Sequence, residues 1–147
     1  MKKISILGVS FLSMIALVTV LFFNSCDDDP CKDVVCVNGD CVSGVCACDL
    51  GYEGTDCSTK SVDKFVGSYS AIDVCSSGTY SYNSNVAASS TTVNGLIITN
   101  FGGFGSTLTA IATVDENSVT VPSQNIGGVN ISGSGTINAA ATQIQFT

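Results

Sequence analysis

The chain of 147 residues carries a formal net charge of −7, with 5 basic residues, 12 acidic residues, 8 cysteines and no histidine. All of the basic residues are lysines. Without histidine the chain cannot form a Ser-His-Asp triad or a histidine-based zinc site, and without arginine it lacks a bidentate clamp for phosphate. The acidic balance also disfavours a nucleic-acid partner, because binding to that backbone needs clustered Lys and Arg.

The N-terminal segment has the composition of a secretory signal. Lys2 and Lys3 precede an uncharged apolar stretch over residues 4–23, and small or polar residues separate this stretch from Cys26. A basic start, an apolar centre and small residues before a cleavage site are typical of signal peptides. An uncleaved transmembrane helix is the alternative, since about 20 apolar residues can span a bilayer. We predict a helical signal peptide over residues 1–25.

Cys26 stands where a bacterial lipobox places its cysteine. Ser25 supplies the small residue before the cut, whereas Phe23 and Asn24 depart from the usual pattern. The resemblance to bacterial lipoproteins implies cleavage before Cys26, lipidation of its thiol and anchoring of the chain in a membrane through the lipid. The acidic linker over residues 26–30 resembles the export signal that places some lipoproteins on the outer face of the outer membrane. A solvated spacer is the alternative interpretation of this linker.

Six cysteines fall within residues 31–57, with the spacing C-x4-C-x4-C-x4-C-x-C-x8-C. So short a segment cannot bury enough apolar surface to offset ordering costs of about 1.5 kcal/mol per residue. Crosslinks are therefore expected, as in small domains of oxidising compartments. The spacing alone leaves the pairing open. A Cys₄ zinc site is the rival interpretation, although such thiolate sites are more typical of reducing compartments.

The second half of this segment carries the motif of a known family. It reads C-A-C-D-L-G-Y-E-G-T-D-C from Cys46 to Cys57, with Gly51 and Tyr52 inside it, and an Asn-Gly pair precedes the third cysteine. This pattern resembles the EGF-like domain. The resemblance implies the disulfides Cys31–Cys41, Cys36–Cys46 and Cys48–Cys57. It also implies roles in spacing and protein contact. The residues typical of calcium-binding members are largely missing, so we expect no specific metal site and no cofactor.

The rest of the chain is predicted as a linker over residues 58–64 and an antiparallel β domain over residues 65–147. β-branched residues interrupted by Gly, Asn and Ser are typical of strands and turns. Apolar side chains alternate with hydroxyls over residues 107–114, and Ile144 and Phe146 alternate with glutamines. This alternation predicts a sheet that is solvated on one face. The fold class is therefore all-β, with seven or eight strands in a meander that forms a barrel or a sandwich.

Turn-forming residues recur along the β domain at intervals typical of a meander. Turns are predicted at Ser77-Gly78, Asn94-Gly95, Gly102-Gly103, residues 115–117, Gly127-Gly128 and Ser134-Gly135.

Aromatic side chains in the β domain admit two interpretations each. The opening segment FVGSY, residues 65–69, is weakly similar to the entry of lipocalin-like barrels, with Tyr in place of Trp. Tyr80 and Tyr82 share one face of a predicted strand and either line a ligand surface or pack within the sheet. Phe101 and Phe104 flank a glycine pair and either contact a partner or cap the end of the sheet.

Cys75 is predicted to be unpaired, because lipid takes one of the other cysteines and the disulfide-rich segment takes six. One account is that the β domain is incomplete and that a strand beyond Thr147 carries the partner cysteine. A buried free thiol and a disulfide between chains are the alternatives.

The sequence predicts a non-enzymatic protein. Asp115 and Glu116 are neighbours at a predicted turn and make a poor acid/base pair, and G-x-S-x-G does not occur. We expect a cell-surface lipoprotein whose EGF-like stalk presents the β domain to an extracellular protein or glycan. The alternative is a purely structural envelope lipoprotein or an accessory subunit of an outer-membrane complex.

Overall fold

The computed structural model describes residues 29–147, so the predicted signal peptide and Cys26 lie outside the described residues. The described chain is all-β, as predicted, with eleven strands and two short 3₁₀ turns. Within this part of the chain, no helix has the length and hydropathy needed to cross a bilayer.

The N-terminal disulfide module, residues 31–57, is built on a hairpin of β1 (Gly39–Val42) and β2 (Val45–Cys48). Its last strand, β3 (Tyr52–Glu53), pairs with β4 (Thr59–Lys60), which lies beyond the sixth cysteine. Disulfides join Cys31 to Cys41, Cys36 to Cys46 and Cys48 to Cys57, the same pairs that the EGF resemblance implies. All six thiols are used in these bonds, so the Cys₄ zinc interpretation is wrong.

Seven further strands form one antiparallel sheet whose spatial order equals the chain order. They are β5 (Gly67–Cys75), β6 (Gly78–Ala88), β7 (Gly95–Thr99), β8 (Thr109–Asp115), β9 (Ser118–Ile126), β10 (Val129–Ile137) and β11 (Ile144–Phe146). The sheet curls into a half-barrel with β5 and β11 at its two edges. The meander prediction is therefore confirmed, and a single curled sheet takes the place of the sandwich alternative.

The core lies on the concave face of this sheet. The alternation predicted over residues 107–114 is confirmed, because Ala110, Ala112 and Val114 are buried while the intervening residues are exposed. The other buried apolar residues are Val62, Phe65, Val86, Leu96, Ile98, Val119, Val121, Ile126 and Ile137.

The connections between antiparallel strands fall alternately at two ends of the sheet. The first, here called the module end, carries residues 58–66, 89–94, 116–117 and 138–143. The second, here called the free end, carries residues 76–77, 100–108 and 127–128. The disulfide module joins the sheet at the module end, since β4 leads through a short 3₁₀ turn to the start of β5.

Residues 58–64, predicted as a linker, contribute to the folded core. They form β4 and a 3₁₀ turn over Ser61–Lys64, in which Ser61 and Val62 are each 1% exposed. The Ser61 amide donates a hydrogen bond to the Gly51 carbonyl at 2.9 Å, and Val62 packs in the core. A single valine in a polar stretch gives no periodicity, so the sequence carried no signal for this packing.

The turn predicted at Ser134-Gly135 is wrong, because both residues lie within β10. The chain instead turns over residues 138–143, where the Asn138 side chain accepts hydrogen bonds from the amides of Thr142 and Gln143. Gly135 is required by packing, since a methyl group there would lie 2.7 Å from the Gln145 carbonyl oxygen and 3.0 Å from the ring of Phe146.

Pro122 interrupts the pairing of β8 with β9, which is regular only between residues 113–115 and 118–120. The Gln124 side chain takes the place of the missing backbone partner. Its amide oxygen accepts from the Ile111 N–H at 2.9 Å, and its amide nitrogen donates to the Ile111 carbonyl at 2.7 Å. The exposed backbone of Ile111 is thereby satisfied although the two strands separate.

A pair of glycine substitutions in β10 tests the packing role of Gly135. Gly135→Ala should lower the free energy of unfolding by about 1–3 kcal/mol, because the added methyl group overpacks the contact with β11. Gly133→Ala is the matched control, since its nearest neighbour would be the Thr147 carbonyl oxygen at an ordinary 3.6 Å. Urea denaturation should separate the two variants, and equal stabilities would contradict this role.

Candidate functional site

Aromatic side chains gather at the free end of the half-barrel. Tyr80 on β6 is 52% exposed and Phe104 in the β7–β8 connection is 43% exposed. Tyr82, two residues along the same face of β6, is half-buried. Flat rings beside polar groups suit contact with a partner surface, because aromatic side chains combine a large apolar area with little conformational entropy.

Tyr82 is fixed by a carboxylate and by a glycine. Its hydroxyl donates a hydrogen bond to Asp73 Oδ2 at 2.9 Å, and its ring lies against Gly103. Burial raises the pKa of Tyr82 to about 12, and the neighbouring charge of Asp73 acts in the same direction. Tyr82 therefore serves as a protonated, oriented hydrogen-bond donor to Asp73 at neutral pH.

The loop that carries the two phenylalanines is held in one shape by Asn100. This residue has φ of 60°, its amide oxygen accepts from the Gly105 N–H at 2.9 Å, and its amide nitrogen donates to the Asn83 carbonyl at 2.7 Å. Phe101 packs edge-on against Phe146 with ring centroids 5.3 Å apart. The loop thus presents Phe104 from a backbone that is tied to both β6 and β11.

Some of these aromatic side chains are therefore packed against the core, and others are exposed. Tyr80 and Tyr82 do share one face of β6, as predicted. Phe101 takes the capping role, whereas Phe104 remains partly exposed at the same end. Asp73 and Asn100 were missed by the sequence reasoning, because no local pattern marks a residue that acts through a neighbouring strand.

Cys75 ends β5 at the free end, and it is exposed. The buried-thiol alternative is therefore wrong. Within residues 29–147 it has no disulfide partner.

A second concave feature lies at the module end, between the disulfide module and the sheet. It is an open cleft of about 620 Å³ whose lining includes Glu53, Lys64, Asp115, Glu116 and Asn117. The Lys64 ammonium group donates to Glu53 Oε2 at 2.6 Å and to Asn117 Oδ1 at 2.8 Å. These bonds join the module to the β8–β9 turn, so Lys64 has a structural role in the cleft.

The carboxylates of the cleft do not form a metal cage. Among residues 29–147, no group of three or more Cys, Asp or Glu side chains has an arrangement that could hold a metal ion. Asp115 is the last residue of β8, and Glu116 follows it in the turn with a positive φ of 48°.

Comparison with known proteins identified no relative for this chain. No family model, no curated protein and no solved structure matches it.

The protonation of Tyr82 can be measured directly, since the chain contains four tyrosines and no tryptophan. Tyr82→Phe should remove a phenolate absorbance step near pH 12, and Asp73→Asn should move that step to lower pH. The pKa of Tyr82 in the folded chain lies above the usual tyrosine value of about 10. Its hydroxyl therefore contributes its full stabilisation below about pH 10. This stabilisation is lost as the pH rises through about 12. An unchanged titration curve in Tyr82→Phe would contradict this assignment.

Proposed function

We propose that this protein is a non-enzymatic lipoprotein of the cell surface, anchored in the outer membrane through Cys26. In this proposal the disulfide module is an EGF-like stalk. It presents the free end of the half-barrel to an extracellular protein or glycan. The observation that carries the proposal is the position of the exposed aromatic rings, at the end of the sheet opposite the attachment of the module.

The attachment of the module supports a presenting role. Gly51, with φ of 91°, lies so close to the β6–β7 connection that a side chain there would come within 2.9 Å of Val93 and 3.0 Å of Asn94. Together with the contacts of Lys64 and Ser61, this approach gives the stalk several fixed points on the sheet. A stalk held in this way transmits its own orientation to the free end.

The free end supports binding over a purely structural role. The rings of Tyr80 and Phe104 are not needed to fill the core, since both remain about half exposed. The Tyr80 hydroxyl donates to Ser77 Oγ at 3.2 Å, and Asp73 stands opposite Tyr80 in the β5–β6 register. Recognition surfaces typically combine exposed aromatic anchors with such adaptable polar groups.

The anchor is tested by metabolic labelling with palmitate in cells that produce the full chain. The unmodified sequence should incorporate label and partition with membranes, whereas Cys26→Ala should lose both properties because the thiol is absent. Cys75→Ala is the matched control and should keep the label. Labelling that persists in Cys26→Ala would contradict the anchor.

Binding by the free end is tested on arrays of glycans and extracellular proteins. The double variant Tyr80→Ala/Phe104→Ala should reduce binding at least about tenfold, because hot-spot aromatic residues typically contribute 2 kcal/mol or more. Ile111→Ala is the matched control, since this residue is 62% exposed on the convex face. Equal losses in both variants, or no ligand on either array, would favour the structural alternative.

A further inference from the structure

The tip of the β1–β2 hairpin exposes two valines without a packing partner. Val42 and Val45 are paired in the hairpin register and are 59% and 69% exposed. The cysteines of the two strands, Cys41 and Cys46, alternate with them and direct their side chains inward to the disulfides. The valines therefore share the outward face of the hairpin, next to the turn.

The tip is also free of charge. Residues 41–48 contain no acidic or basic side chain, whereas Asp40 and Asp49 stand at the base of the hairpin. Pro30 adds to the apolar surface, because its side chain and carbonyl lie against Gly44 in the turn. The tip is therefore an uncharged apolar surface on a strongly acidic module.

The chain length fixes how far this tip can lie from the proposed lipid. Pro30 is four residues beyond Cys26, and an extended chain spans at most about 3.6 Å per residue, or roughly 14 Å in total. Because Pro30 touches the hairpin turn, the tip is held within about that distance of the acylated cysteine. Tethering at such short range gives the tip a high effective concentration at the lipid surface.

We propose that the hairpin tip formed by Pro30, Val42 and Val45 seats in the headgroup region of the same leaflet that holds the acyl chains of Cys26. The proposal rests on the lipid anchor at Cys26 and extends it from one attachment point to two. Two points of contact fix the orientation of the stalk, whereas an acyl anchor alone leaves the stalk free to swivel.

The charge of the module affects how strongly the tip binds to different lipids. Asp29, Asp33 and Asp40 lie close in sequence to the tip residues, with Lys32 as the only basic residue of the module. Like charges disfavour an anionic leaflet, and this effect falls with rising salt. A zwitterionic surface offers the same apolar boundary without that repulsion.

The absence of tryptophan allows a direct test with one introduced probe. Val45→Trp in the acylated full chain, reconstituted into phosphatidylcholine vesicles with brominated acyl chains, should show blue-shifted and quenched emission. Val74→Trp is the matched control at the free end, where the native side chain is 81% exposed, and its emission should stay unquenched. Adding Val42→Asp to Val45→Trp should reverse the quenching, and replacing part of the lipid with phosphatidylglycerol should weaken it at low salt.

Mass spectrometry of the same samples separates the two proposals. A chain without acyl groups on Cys26 would overturn the anchor. An acylated chain with intact disulfides whose Val45→Trp probe stays unquenched would overturn the seating of the tip while leaving the anchor standing. Equal quenching of the Val45→Trp and Val74→Trp probes would also overturn it, because the tip would then have no preference for the membrane.

Discussion

Three short covalent loops determine the shape of a module that has little apolar interior. Each disulfide closes a loop with a sequence separation of 9 or 10, which in the chain-entropy model contributes about 2.5–3 kcal/mol. Several aliphatic side chains of the module remain largely exposed, Val35 at 79% and Leu50 at 65% among them. The crosslinks therefore stabilise the module in place of a hydrophobic core, and they leave apolar residues available for external contacts.

The shape of the module matters because the sheet is joined to it through small, specific contacts. Gly51 allows close approach to Val93, the Ser61 amide bonds to the Gly51 carbonyl, and Lys64 links Glu53 to Asn117. If the disulfide loops lost their form, Gly51 and Glu53 would no longer face these partners. The orientation of the half-barrel relative to the disulfide module therefore depends on the covalent bridges.

The fold was largely predictable where the signal was local or periodic. Cysteine spacing indicated the disulfide module, and the alternation of apolar residues indicated the buried face of β8. The sequence reasoning failed where a residue acts across strands. Ser134-Gly135 is a pair typical of turns, but the glycine is required in β10 because a side chain there would overlap Phe146. Gln124 hydrogen-bonds to the backbone of Ile111 across a gap that Pro122 creates.

The aromatic site was predictable only in part for the same reason. The sequence suggested that Tyr80, Tyr82 and Phe104 could form a binding surface. Their position together at one end of the sheet depends on the order of the strands. The pairing of Tyr82 with Asp73 follows from the β5–β6 register, in which Asp73 stands opposite Tyr80. No pattern within either strand encodes that diagonal contact.

Amide hydrogen exchange of the purified full chain, before and after reduction of its disulfides, tests the central claim most directly. Reduction should remove protection from residues 31–57 while β7, β8 and β9 keep theirs, because a packed core holds the sheet and covalent bridges hold the module. Protection of residues 31–57 that survives complete reduction would show that noncovalent packing shapes the module, and it would contradict the account.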